Sequence, residues 1–465
     1  MTEFIDTRRR SILGLAKNIM LFSLPLMLSN LLQVLFHMAD VAVVGQFSGT
    51  LALGAVGSTA VAITIFTGFL IGMGGGINAI IARNIGEQNT PEIRKTIHTG
   101  AAVSLIIGVI IMIFGLTLSR PLLMLLGTKD ELVDLATEYM TVYFIGMPAL
   151  ALFNLGNAVY SAEGDTKKPL LFLSLAGGLN VVLNLFFVIV CNLSAVGVAI
   201  ASVISQYLSA ILVIRSLLIK KGDCSLSLSE IRITRKNASE ILSLGLPSGF
   251  QHAVFYIANL FIQSAVNTFD AVMVAGNSAA TNADGLVFDV MAAIYVATGS
   301  FIGRSYGRGD KREIRRIYFV TLILSALMGE LIGLTLVLLG PEFLSIFSSD
   351  PAVIDAGMQR LGIMGVCYGL SAFMDNAIAA ARGLGKSVIP ALSVVAFSCV
   401  FRIVWIYTVF DHFRTIASIY LLYPVSWLLT TLSVTVYFFY CYSRLKDRAK
   451  DASDTPTPHL ETLNS

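Results

Sequence analysis

The chain has 465 residues, of which 55% are apolar and 13% charged, with a formal net charge of +3. A water-soluble surface is excluded for so apolar a chain, and so small a basic excess gives no support for a nucleic-acid partner. Five scattered cysteines (Cys191, Cys224, Cys367, Cys399 and Cys441) argue against a disulfide framework or a zinc site.

Long unbroken apolar runs point to membrane helices rather than to the alternating strands of a barrel. Twelve spans are expected near residues 18–40, 51–81, 96–118, 132–159, 169–191, 195–218, 240–266, 276–302, 316–339, 353–381, 387–410 and 415–441. Arg8, Arg9 and Arg10 precede the first run, which is too long for a signal peptide, so it is read as a retained helix.

That first helix carries an acid where hydrocarbon disfavours one. At about 100° per residue, Ser23, Asn30, Gln33, His37 and Asp40 share a stripe, while Leu21, Leu28, Leu35 and Val43 lie off it. A carboxylate near mid-membrane costs roughly 2.5–3.5 kcal/mol on insertion scales, which makes Asp40 a functional candidate. Further interior polar residues follow: Tyr139, Asn154 and Asn157 on the fourth span, Asn180 and Asn184 on the fifth, Ser202 and Gln206 on the sixth. Each alone reads as an interhelical hydrogen bond. Asp40, Asn157, Asn180, Asn184 and Ser202 as a set are a candidate proton- or cation-coupling site; sodium at Asp40, Asn180 and Asn184 is the metal alternative.

The connections between spans set the orientation. One side collects 27 lysines and arginines, the other only Arg120, Lys129 and Arg414. Both termini are therefore expected in the cytoplasm of a multi-pass protein of the bacterial inner-membrane type. An internal repeat supports an even span count: Leu24-Pro25 recurs as Leu246-Pro247, Arg83, Gly86, Ile93 and Arg94 as Arg304, Gly307, Ile314 and Arg315, and Gly164 and Lys167 as Gly383 and Lys386. The chain thus divides into a six-helix lobe (1–218), a cytoplasmic linker (219–239), a second six-helix lobe (240–445) and a disordered polar tail (446–465).

The second copy has its own stripe of Ser248, His252, Tyr256, Asn259 and Gln263, but the position 222 residues after Asp40 is Ile262. Other ionisable residues expected to be buried there are Asp289, Glu330, Asp375 and Arg402; Asp375 and Arg402 are expected to neutralise one another, and Asp289 and Glu330 have no assigned role. Gln33, His37, Tyr139, Asn154, Tyr256, Asn259, Gln263 and Asp375 are the candidate substrate-binding residues. Gly72-Met73-Gly74-Gly75-Gly76 has no Lys-Ser after it, so close helix packing is the reading rather than a phosphate loop. No nucleotide, zinc-helix or nucleophile motif marks an enzyme, and no cofactor is expected.

Three features together resemble the multidrug and toxic compound extrusion (MATE) family: Leu24-Pro25 with Asp40 near Gly45, the Ala82-Arg83-x-x-Gly86 signature echoed at Gly303-Arg304-x-x-Gly307, and Gly164-Asp165-Thr166-Lys167 with Arg382-Gly383-x-Gly385-Lys386. The resemblance implies an all-α integral membrane protein, twelve helices in two pseudo-symmetric six-helix bundles arranged as a V. It also implies a monomeric antiporter exporting organic cations or amphiphiles against an inward proton or sodium gradient. Asp40 matches the family's first-lobe acid, and Asn157 and Asn180 match polar positions around it. Asn184 stands where many relatives have a second Asp, and Ser202 where they have Thr; the lost charge weakens the sodium alternative. Flipping of a lipid-linked or amphiphilic metabolite is the competing function.

Overall fold

The computed structural model describes residues 11–446. The basic start Arg8 to Arg10 and the tail beyond residue 446 lie outside them. Among the described residues every regular element is helical. The first copy holds α1 (Ile12–Phe47), α2 (Gly49–Gly86), α3 (Thr90–Leu125), α4 (Asp130–Phe144), α5 (Met147–Glu163), α6 (Lys167–Leu185) and α7 (Ser194–Ile219). The second holds α8 (Arg235–Val266), α9 (Ala271–Gly307), α10 (Lys311–Leu338), α11 (Gly340–Ser345), α12 (Pro351–Met364), α13 (Tyr368–Gly383), α14 (Val388–Val394), α15 (Phe401–Trp405), α16 (Asp411–Phe413) and α17 (Ile416–Ser443).

Among the described residues ten helices are long and apolar enough to cross a membrane, and two bent pairs raise the number to twelve. These pairs are α4 with α5, bent by 45°, and α12 with α13, bent by 51°. The fourth and tenth spans, expected near 132–159 and 353–381, are therefore broken. Gly146 marks the first break: a Cβ there would collide with the Gln206 side chain of α7. At the second break the carboxylate of Glu330 accepts the Gly369 N–H at 3.0 Å, a free donor of the first turn of α13. That contact gives Glu330 a capping role.

Caps set the other boundaries. Ser11 accepts the Gly14 N–H at 3.1 Å, Asp270 that of Met273 at 2.8 Å and Asp310 that of Glu313 at 2.9 Å. The ends of α5 and α13 correct the register of the repeat. Asp165 N–H reaches the Tyr160 carbonyl and Lys386 N–H the Ala381 carbonyl, at 2.9 and 3.0 Å. The left-handed turn residues are Gly164 (φ 97°) and Gly385 (φ 75°). Gly164 thus corresponds to Gly385 rather than to Gly383, and the spacing stays close to 222 throughout.

The copies meet by exchanging partners: α2 packs along α8, and α9 along α1. Phe69 meets Phe250 edge-on at 5.4 Å, and Phe22 meets Phe301 at 5.5 Å. The glycine run makes the first contact possible. A Cβ on Gly72 would sit 2.6 Å from the Ser248 carbonyl, and one on Gly76 2.7 Å from the Gly245 nitrogen. Further along, Ser300 donates to Asn78 Oδ1 at 2.9 Å. At the end of the seam a Cβ on Gly86 would strike the Arg304 carbonyl, and one on Gly307 the Arg83 carbonyl. Arg83 also pairs with Glu240 of α8 at 2.6 Å. Residues 220–234 lie against α3, with Thr99 donating to the Arg232 carbonyl at 3.1 Å and accepting from Thr234 N–H at 3.2 Å.

Candidate functional site

Close packing of α6 on α1 sets the polar cluster around Asp40. A Cβ on Gly177 would overlap the Phe36 ring, so the two helices touch there. Asp40 comes four residues after Phe36, and Asn180 and Asn184 come three and seven after Gly177, so all three reach the same level. Asn184 Nδ2 donates to Asp40 Oδ1 and, at 3.2 Å, to Asn180 Oδ1. From α7, Ser202 Oγ donates to Asp40 Oδ2 at 3.3 Å and accepts from Asn180 Nδ2 at 3.3 Å. Asp40 is buried at 9% exposure. No lysine, arginine or histidine pairs with it among the described residues.

The cluster is rich in acceptors and poor in donors. The Oδ1 of Asn184 is buried without a hydrogen-bond partner. A proton on Asp40, or a small hard cation, would add the missing positive group. Magnitudes leave both charge states of Asp40 accessible. Hydrogen bonds to a charged group contribute about 1.5–3 kcal/mol each, the same size as the insertion cost of the carboxylate. No cluster of three or more His, Cys, Asp or Glu side chains forms a metal nest among the described residues.

Other candidates divide by location. Tyr139 is buried with Val43, Val44, Val198 and Ala199 and stacks on Tyr143 at 6.1 Å, beside the Asp40 cluster. Asn157 does not join that cluster: its Oδ1 is buried without a partner on α5, below the break that rotates this helix relative to α4. Asn154 donates to the Leu150 carbonyl of its own helix at 3.0 Å. Gln33 and His37 are exposed on α1, and Tyr256 is exposed on α8 with its ring against Gly68.

In the second copy the expected pairing of Asp375 with Arg402 is not formed. Arg402 Nε donates to Ser426 Oγ at 3.0 Å and Nη1 to Asn259 Oδ1 at 3.3 Å. Phe255 and Tyr423 hold its guanidinium at 5.0 and 4.7 Å from their ring centres. Desolvating an arginine costs several kcal/mol, and a desolvated cation–π contact returns about 2, so the rings and two neutral acceptors leave its charge largely unbalanced. Asp375 instead lies in the field of Arg382, whose guanidinium stacks on Tyr295 at 5.0 Å. Asp289 contributes its backbone, accepting Asn30 Nδ2 at 2.8 Å across the two copies.

The main ion pair of this half escaped the sequence reading. Asp284 of α9 accepts Arg360 Nε at 3.1 Å and Nη2 at 2.5 Å, and the Tyr368 hydroxyl donates to its other oxygen. Arg360 Nη1 donates to Asn277 Oδ1 at 2.9 Å, and Asn277 Nδ2 to Gln263 Oε1 at 3.2 Å. Gln263 therefore belongs to this network. A signal was available: of the 32 lysines and arginines, Arg360 and Arg402 are the two that fall on neither side of the loop distribution, well inside their spans.

Comparison with known proteins gives consistent matches. The MatE family model matches residues 25–186 and again 247–408. The chain is 28% identical over 386 residues to the probable multidrug resistance protein YpnP of Bacillus subtilis (strain 168), covering 82% of this chain and 85% of that protein. To the FAD transporter of Shewanella oneidensis it is 25% identical over 351 residues, 75% of this chain and 77% of that one. A solved structure described as the outward-facing conformation of a multidrug resistance MATE family transporter of the MOP superfamily superposes with a TM-score of 0.84 at 25% identity, covering 92% of this chain and 96% of that one.

Proposed function

Because this chain belongs to the multidrug and toxic compound extrusion family of membrane transporters, we propose that it exports cationic or amphiphilic organic compounds by proton-coupled antiport. One observation carries the reading: a buried carboxylate, Asp40, without a counter-charge, whose neighbours Asn180, Asn184 and Ser202 offer neutral hydrogen bonds and an unmatched acceptor. Lobes 1–218 and 240–445 rock about the α2–α8 and α1–α9 seams, with the Arg83 and Arg304 end facing the cytoplasm by the distribution of basic residues.

Asp40 takes a proton from outside; its neutral form favours repacking of α1 against α6 and α7, and the cation leaves. Facing inward, it loses the proton, and the restored charge attracts the next cation, held among Tyr139, Tyr256 and other aromatic surfaces. Proton and cargo compete only as far as their binding free energies are coupled. Sodium is the second reading, favoured by the oxygen ligands of the cluster and disfavoured by its single charge.

The test is uptake of a fluorescent organic cation into inside-out vesicles, driven separately by a pH gradient and by a sodium gradient, in wild type and Asp40→Asn. Transport that follows the pH gradient and is lost in the variant is expected. Transport driven by sodium alone overturns the proton assignment.

A further inference from the structure

We propose that the second copy holds a binding site for a compact monoanion, a halide or a carboxylate, centred on the guanidinium of Arg402. The side chain is fully buried at 0% exposure, and no carboxylate pairs with it among the described residues. Two of its nitrogens have neutral acceptors, Ser426 Oγ and Asn259 Oδ1, and its Nη2 is buried with no hydrogen-bond partner. Phe255 and Tyr423 cover its surroundings with rings, which exclude water and strengthen any charge pairing formed there. The neighbouring arginine does not help. Arg360 also lies over the Tyr423 ring, at 5.1 Å, and its own charge is matched by Asp284.

The repeat gives the site its meaning. The two matched copies are offset by 222 residues; at that offset Asp40 becomes Ile262 and Asn180 becomes Arg402. The acid-and-amide pocket of the first copy is thus replaced by a pocket of opposite polarity at the same level of the second. Backbone geometry singles out the same place: wide π-helical turns, Val395–Val400 and Ile406–Phe410, bracket the short helix α15 that carries Arg402. Such turns recur at functional sites.

Chemistry selects the ligand. Nη1 and Nη2 form a fork that suits a carboxylate, or a halide held between them. One uncompensated positive charge accepts one negative charge; a divalent anion would carry an excess charge into an apolar surround. Entry is through Asn259, half-buried on α8, whose amide oxygen the anion replaces.

The chain supplies its own reporter, since it has only two tryptophans. Trp405 follows Arg402 on α15, and Trp427 is next to Ser426 on α17. Tryptophan fluorescence and thermal unfolding of the purified full-length protein are followed while sodium chloride or sodium acetate replaces sodium sulfate at constant ionic strength. A saturable fluorescence change and a rise in Tm with the monoanions, absent in sulfate, are expected. Arg402→Gln is to abolish the saturation while retaining a monodisperse elution profile. Asn259→Ala, which keeps the guanidinium, is to move the midpoint about three- to tenfold without removing it.

Saturation by both anions in competition supports the shared site. Saturation by chloride alone supports an inorganic occupant, and by acetate alone a carboxylate carried by an organic cargo. Should Arg402→Gln not fold, Arg402→Lys with a shifted midpoint takes its place. A wild type whose response is linear in every salt, or a folded Arg402→Gln that saturates as wild type does, overturns the proposal.

Discussion

Asp284 and Arg360 pair at 2.5 Å in the second copy, and both are buried. Removing one partner leaves the other buried and unpaired, which costs about 3–5 kcal/mol. Asp284→Asn is therefore expected to lower Tm by many degrees, and Asp284→Leu combined with Arg360→Met to restore much of it; detergent-solubilised thermal unfolding reads both. At Asp40 the informative change adds charge. Asn184→Asp would place a second carboxylate against the first, favouring a bound cation over two bare negative charges. A sodium-driven component of transport should then emerge in vesicles where wild type shows none.

Legibility at this scale followed helix phase. Counting about 100° per residue put Asp40 on the polar stripe of α1, whereas its meeting with Asn180, Asn184 and Ser202 is set by the packing of α6 and α7 against α1. Asn157 lies apart from that cluster, on α5 beyond the break at Gly146, which single-helix counting does not show. The Asp284–Arg360 pair depends on contact between α9 and α12, 76 positions apart, and no periodicity within one helix reports a partner on another.

Among elements, the glycine run of α2 illustrates what sequence reading does well. Without a strand before it or Lys-Ser after it, packing was the remaining use, and the Ser248 and Gly245 backbones now occupy the space of the absent Cβ atoms. Overpacking there should cost about 1–3 kcal/mol. Gly76→Leu is expected to lower Tm and the yield of monodisperse protein more than Gly57→Leu on the same helix, where a Cβ meets nothing within 4 Å. The bends were not legible, because each depends on a neighbour at the irregular turn, Gln206 at Gly146 and Glu330 at Gly369.

At the scale of the molecule, the repeat is most symmetrical where the copies touch and least where they carry charge. Asp40 corresponds to Ile262 in the repeat, and Asn180 to Arg402, yet Gly86 and Gly307 make the same contact in reverse. Gly86→Ala is expected to push the Arg304 carbonyl outward and to lengthen distances between spin labels placed at Glu87 and Arg308. Gly307→Ala should do the same through Arg83. Combined, the two changes should fall short of additive by about 0.5–3 kcal/mol, since the first already loosens what the second would break.

That reciprocity sets how the two copies can change over evolutionary time. A pocket residue in one copy alters one pocket, so the duplicates are free to drift apart there, one toward an acid and the other toward an arginine. At the seam each copy shapes its sister: any side chain gained at Gly86 is felt by the backbone of Arg304, and any gained at Gly307 by that of Arg83. The duplicates remain twins where they must fit each other and become specialists where they need not.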